Sequence, residues 1–343
     1  MSGSRGSGEP AYRGGPGRPR IAVTLGDPRG IGPEVAAALL RADELRGAAE
    51  WVLVGPAGVL DPADVDAAGA ELVAVGEWTE GPAGAEPGGR DTERLAGRLS
   101  GAAVERAARM ALDGEADGLV TAPLSKAALS AAGYSQPGHT ELLRDLAGVP
   151  EVTMIMGAEE TPLGGPLRMA FLTGHIPLRE VPGRLDVELV TRRTRIAARA
   201  LREWWGIGRP RIAFAGVNPH ASEGGLLGDE EGRILAPALE RLATDAELEV
   251  DGIHPADTVF RRCLDGTVDA VVVPYHDVGL ALLKTIALER GINVTAGLPF
   301  PRTSPDHGTA FDIAGRGVAD PSSMIEAAGM CARFCRAVRP VAS

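Results

Sequence analysis

Short apolar runs, separated by longer stretches of helical periodicity, organise the chain from residue 20 onward. The runs at 20–25, 51–55, 71–75, 118–121, 152–156, 167–172, 211–215 and 270–273 have the length and apolar content of strands. Stretches 92–113, 183–204 and 229–244 repeat apolar residues at helical spacing. After the first strand, G-I-G-P-E-V-A-A-A-L-L sets Pro33 in the first turn of a helix and Glu34 at its positive end. Runs 152–156 and 167–172 read as an antiparallel pair across E-E-T-P-L-G-G. Residues 81–90 read as a loop. Residues 1–19, rich in Gly, Ser, Pro and Arg, read as a disordered tail. Strands alternating with helices predict an α/β fold with a largely parallel sheet, and 343 residues suggest two domains.

A net charge of −11 argues against a general nucleic-acid binder. No run reads as a signal peptide or a membrane span. Of 35 basic residues 33 are arginine, which fits GC-rich coding. The two lysines, Lys126 and Lys284, are then either chance survivors or places where a compact, titratable amine is needed. Three cysteines, Cys263, Cys331 and Cys335, give no disulfide framework. They read as buried thiols in a reducing, cytoplasmic setting.

Polar motifs follow the strand ends: T-L-G-D-P, V-T-A-P-L-S-K, L-T-G-H, A-G-V-N-P-H and V-V-P-Y-H-D. In open α/β sheets ligands bind beyond the carboxyl ends of strands, so five such tails predict one shared cleft. Of six histidines, His175, His220 and His276 sit just past a strand. Together they would hold a divalent metal with positions left open for substrate; separately they are hydrogen-bonded surface histidines. Asp277 and Asp257 are candidates to orient such ligands. Gly138-His139-Thr140-Glu141 opens a helix whose start suits an anion, with Thr140 as a plain N-cap the simpler reading. Lys284, Asn293 and Arg302 are further anion donors, the lysine a point charge and the arginine a fork. The turn G26-D-P-R-G-I-G32 lacks the dinucleotide-binding glycine spacing and reads as a tight active-site turn.

Residues 306–317, D-H-G-T-A-F-D-I-A-G-R-G, closely resemble the H-G-S-A-P-D-I-A-G-K-G adenosine-binding loop of isopropylmalate and isocitrate dehydrogenases. That resemblance implies a cofactor site at His307, Gly308, Thr309, Ala310, Asp312 and Ile313. A carboxylate at Asp312 would accept from the ribose 2′-hydroxyl and favour NAD over NADP. With T-L-G-D-P-R-G-I-G-P-E (24–34), T-A-P-L-S-K (121–126), G-H-T-E (138–141), N-P-H-A-S-E-G-G (218–225), P-A-D-T-V-F (255–260) and Y-H-D-V-G-L (275–280), the chain after residue 20 resembles the PdxA family, 4-hydroxythreonine-4-phosphate dehydrogenases.

The resemblance implies two α/β domains of the isocitrate/isopropylmalate dehydrogenase type with the active-site cleft between them. Residues 20–128 plus 290–343 would bind the cofactor, and 129–289 the metal and substrate, with the dimer contact. It implies metal ligands His175, His220 and His276, substrate contacts His139, Thr140, Lys284, Asn293 and Arg302, and a homodimer with its site at the subunit interface. The expected cofactors are NAD and one divalent ion, Zn2+, Mg2+, Co2+ or Mn2+. The expected reaction oxidises the 3-hydroxyl of 4-phosphohydroxy-L-threonine and decarboxylates the product. Lys126 is the candidate for proton transfer and Asp257 its rival. Departures from the family pattern at Val278, Ala122 and His254 bear on the exact substrate, with 4-phospho-D-threonate or 4-phospho-D-erythronate, and then a terephthalate dihydrodiol, as alternatives. A non-catalytic phosphometabolite or nucleotide sensor is the reading outside enzymology.

Overall fold

A computed structural model describes residues 17–81 and 89–338. Most of the expected tail and of the 81–90 loop therefore lies outside the described residues. The strands among them are β1 (Arg20–Thr24), β2 (Glu50–Ala57), β3 (Glu71–Glu77), β4 (Gly118–Thr121), β5 (Thr153–Ala158), β6 (Leu167–Phe171), β7 (Arg211–Ala215), β8 (Glu249–His254), β9 (Ala270–Val273), β10 (Ile292–Ala296) and β11 (Arg302–Pro305). The α-helices are α1 (Gly32–Arg41), α2 (Pro62–Ala67), α3 (Arg90–Leu112), α4 (Lys126–Ala131), α5 (His139–Ala147), α6 (Val181–Arg184), α7 (Val187–Glu203), α8 (Ala236–Ala243), α9 (Val259–Leu264), α10 (His276–Ile286) and α11 (Ser322–Val338). No described helix is long and apolar enough to cross a membrane. All three cysteines are buried and free, as expected.

All strands join one sheet in the order β3-β2-β1-β4-β11-β10-β5-β6-β9-β7-β8. The β3-β2-β1-β4-β11 block is parallel, and so is the β6-β9-β7-β8 block. Between them β10 runs antiparallel to both β11 and β5, and β5 antiparallel to β6 as expected. The two parallel blocks consequently run in opposite directions. Carboxyl ends of β1 and β4 leave the sheet on the side opposite to those of β6, β7 and β9. The five polar tails therefore leave the sheet at two ends, not one.

β8, β10 and β11 escape the reading from apolar runs. Ile292-Asn293-Val294-Thr295-Ala296 alternates, and Arg302-Thr303-Ser304-Pro305 has no aliphatic residue, yet these two strands form the middle of the sheet. The expected 229–244 helix is also broken. A π-helical turn at Glu231–Leu235 precedes α8, whose Pro237 has no N–H to continue an α ladder.

One face of the sheet carries a continuous core. Ile21 and Val23 of β1, Ile155, Ala170, Ile212 and Phe214 pack there under α1, α7, α8 and α11. The other face is divided. Ala22, Val52 and Leu119 pack under α3 and α5, while Met156, Met169, Phe171 and Val273 pack under α9 and α10. Directly paired residues share a face. The register (Arg302 opposite Leu119, Ser304 opposite Asn293, Asn293 opposite Met156) therefore puts Arg302, Ser304, Asn293 and Thr295 in the gap between those two cores.

Candidate active site

A cleft of about 1790 Å³ opens over that gap. Thr121 and Lys126 line it from the β4 end, His139, Thr140 and Glu141 from α5, Asn293, Arg302 and Ser304 from its floor, and His175 from the β6 end. Its floor is thus a sheet face built by β10 and β11.

Arg302 is the largest fully buried side chain, 2% exposed. Its guanidinium donates to Thr295 Oγ1 at 2.8 Å and Thr121 Oγ1 at 2.5 Å, and its Nε is buried without a partner. Among the described residues no carboxylate lies within ion-pair distance of it. Burial lowers its pKa to about 10, offset only in part by the field of Glu141, so it stays cationic near neutrality.

His139 is the first residue of α5 after Gly138, which offers no side-chain cap. Its pKa falls well below the ordinary 6.5, first by desolvation, then through the charges of Arg302 and Lys126. The ring is hydrogen-bonded to the backbone of Ala122, while Nε2 is buried with no partner. Asn293 Oδ1 is likewise buried and unpaired. One orphaned donor, the Arg302 Nε–H, and two orphaned acceptors, His139 Nε2 and Asn293 Oδ1, leave a hole for a ligand that carries both a negative charge and a hydrogen-bond donor, because such groups cost free energy until something pairs with them. Lys284 is exposed on α10 and reaches the cleft through Asp306, its Nζ 3.5 Å from Oδ2 and 3.3 Å from the backbone carbonyl. Desolvation raises the Asp306 pKa, against the pull of Lys284.

His175 and His276 come together, ring centroids 5.1 Å apart. His276 Nδ1 lies 2.6 Å from Asp277 Oδ1, which leaves Nε2 to face a ligand and bears on the orienting role expected of Asp277. Desolvation, then Lys126 and His276, lower the His175 pKa and favour the neutral imidazole that binds metals. His220 is apart from them. It is exposed on the segment Pro219–Gly225, and among the described residues no three His, Cys, Asp or Glu side chains stand close enough to hold an ion. Of the three expected metal ligands, His175 and His276 come together within one chain and His220 does not join them. Glu231 in the π turn, 4% exposed, sets the start of the His220 segment. Its Oε1 accepts from the N–H groups of Val217 (2.8 Å) and Asn218 (2.7 Å), and Oε2 from Asn218 Nδ2 (2.9 Å).

Lys126 opens α4 at the cleft wall, near enough for its charge to act on both His139 and His175. Asp257 is exposed in the turn before α9 and lies outside the cleft lining. Val278 packs against the α9–α10 core, and His254 is tied at 2.8 Å to Asp251, so neither faces the cleft. The 306–317 loop enters the cleft with His307 and Gly308. Beyond them Thr309, Ala310 and Ile313 are half-buried and Asp312 is exposed with no partner among the described residues. An exposed, unpaired carboxylate on a loop turned through left-handed positions at Ala310, Gly315 and Gly317 fits a ribose hydroxyl. Thr121 and Thr295, which hold Arg302, went unnoticed as site residues; T-A-P-L-S-K was a visible motif, whereas Thr295 became legible only with its strand.

The sequence model of the family described as "Pyridoxal phosphate biosynthetic protein PdxA" matches residues 63–331. A 4-hydroxythreonine-4-phosphate dehydrogenase of Erythrobacter litoralis is 42% identical over 93% of this chain and 98% of its own length. The crystal structure of a 4-hydroxythreonine-4-phosphate dehydrogenase from Klebsiella pneumoniae superposes with a TM-score of 0.77 at 36% identity, over 92% of this chain and 99% of that one. A terephthalate 1,2-cis-dihydrodiol dehydrogenase from Burkholderia xenovorans superposes less well, TM-score 0.61 at 29% identity, over 92% and 98% of the two chains.

Proposed function

The chain belongs to the PdxA family of pyridoxal phosphate biosynthetic proteins, and from that premise we propose that it oxidises the 3-hydroxyl of 4-phosphohydroxy-L-threonine with NAD and decarboxylates the product to 3-amino-2-oxopropyl phosphate. The observation that carries this reading is Arg302, a buried guanidinium with no acid partner, flanked by the unpaired His139 Nε2 and Asn293 Oδ1. A phosphate monoester supplies the countercharge that Arg302 lacks and an acceptor for its unpaired Nε–H, and the amine or hydroxyl of the same substrate supplies donors for the two acceptors of that hole. The same hole favours a phosphorylated hydroxy acid over an aromatic diol.

When bound, a divalent ion supplies Lewis acidity at the hydroxyl being oxidised, and NAD the hydride acceptor. The imidazole set suits Zn2+ or Co2+ and is also compatible with Mg2+ or Mn2+. In this reading His175 and His276 hold the ion from one subunit, with Asp277 fixing the His276 ring. His220 of a second copy completes the set in a homodimer, which accounts for its exposure and its separation from the pair within one chain. Arg302, His139, Thr140, Asn293 and Lys284 position the phosphate end. Lys126 takes the hydroxyl proton as the ketone forms and returns one to the carbon freed by loss of CO2. Asp312 accepts from the ribose.

Following NAD reduction with the metal-loaded protein tests this directly. Turnover should be fastest with 4-phosphohydroxy-L-threonine. A faster rate with 4-phospho-D-threonate, 4-phospho-D-erythronate or the terephthalate dihydrodiol would reassign the substrate. Binding of these phosphates without reduction would leave only a sensor.

A further inference from the structure

Glu34 sits in the first turn of α1, where its charge suits the helix end. The structure gives that carboxylate a second task. One oxygen accepts from the Gly315 N–H and the other from the Gly317 N–H, 3.2 Å away, across 281 residues of chain. The neighbouring residues of the same turn grip the same loop. Ile31 N–H donates to the Thr309 carbonyl at 3.0 Å. A Cβ at Gly30 would stand 2.6 Å from that carbonyl, so only glycine permits the approach. The Arg29 guanidinium, held at 2.8 Å by the fully buried Asp27, lies 5.0 Å from the Phe311 ring centroid. The loop has few bonds of its own, Ile313 N–H to Ala310 and Arg316 N–H to Ile313. Its backbone is left-handed at Ala310 (φ 42°), Gly315 (φ 75°) and Gly317 (φ 66°), a shape that must be imposed from outside.

We propose that Glu34 is a positioning residue for the cofactor: by clamping Gly315 and Gly317 it holds the 308–317 loop in the shape that presents Asp312 to the ribose. The proposal rests on the reading of this loop as the NAD site and extends it to the 26–34 turn, which does not line the substrate cleft. Glu34 touches neither substrate nor reacting atoms, so its loss should weaken NAD binding and leave the substrate side alone.

The full-length Glu34→Ala variant should show faster amide hydrogen exchange across 308–320. NADH affinity, measured by equilibrium titration, should fall about tenfold, the order expected when a charged acceptor of two backbone N–H groups is lost. KM for NAD should rise by the same factor, while kcat and KM for the phosphorylated substrate stay within about twofold. Glu34→Gln keeps the length and one acceptor oxygen and should lie between wild type and alanine. It carries the same comparison should the alanine variant not fold. Faster exchange with unchanged NADH affinity would overturn the proposal, and so would equal losses in both KM values. NADH added to the wild type should slow exchange at 308–320. Bound NADH without that protection would put the cofactor elsewhere and overturn both readings. Protection in the wild type with no change in affinity in either variant would overturn this one alone.

Discussion

Arg302 is a cation folded into the sheet with two threonine hydroxyls and no acid. Burying a charge that way opposes folding until an anion arrives. Arg302→Met should therefore raise the stability of the ligand-free protein by about 1 kcal/mol, read from urea unfolding. The same variant should lose the extra stability that the phosphorylated substrate confers on the parent by mass action. Unchanged or lower stability would mean that the hydroxyls already compensate the charge. His139 gives a pH signature. Its folded pKa lies below the ordinary 6.5, chiefly through desolvation, so between those two values the unfolded chain holds more protons. Stability from this group is complete above 6.5 and declines as pH falls toward the folded pKa; His175 acts in the same direction. Thermal midpoints from about pH 8 down to about pH 5 should fall less steeply in His139→Gln than in the parent.

At the scale of elements, the segment around His220 stands out. His220, Ala221, Ser222 and Glu223 all have φ between 46° and 66°, followed by Gly224 at 71°. Non-glycine residues pay about 1–2 kcal/mol for that region. Ala221→Gly should thus stabilise the protein by up to about 1 kcal/mol, after allowance for the greater freedom of glycine in the unfolded chain, and chemical denaturation would show it. Such strain is invisible in P-H-A-S-E-G-G, where the two glycines suggest where the turn lies but not that it begins four residues earlier. The apolar strands were legible because Ala270–Val273 and its like are unbroken hydrophobic runs, and the E-E-T-P-L-G-G turn announced its antiparallel pair. β11 was not, since Arg302 and Ser304 face a cleft, and what buries them is β4, some 180 residues away in the chain. β10 did carry a period-two signal, Ile292-Val294-Ala296 against Asn293-Thr295. Its polar members read as anion donors alone, yet on a divided sheet face one strand serves both purposes.

Across the whole molecule, the histidine pair and the distant third histidine call for a test of assembly. Equal amounts of Glu34-intact chains carrying either His220→Ala or His276→Ala should each be inactive alone. Mixed and allowed to exchange subunits, they should recover about a quarter of wild-type turnover, since half the dimers are hybrids and each hybrid rebuilds one of its two sites. No recovery in demonstrably mixed dimers would place all three ligands within one chain. The histidine placements were legible as motifs past strand ends; that β6, β7 and β9 carry all three at the end of the sheet opposite to the β4 tail was not, because strand direction depends on pairings remote in sequence. That reversal has a consequence for how the chain is made. β4 and β5 follow one another in sequence but are separated in the sheet by β11 and β10. During synthesis both remain open edges, with unpaired backbone groups, until the β10–β11 hairpin emerges after the other nine described strands. The polar strands at the middle of the sheet are thus the last of the described strands to enter it, and until they do the nascent chain exposes two adhesive edges that a chaperone has reason to cover.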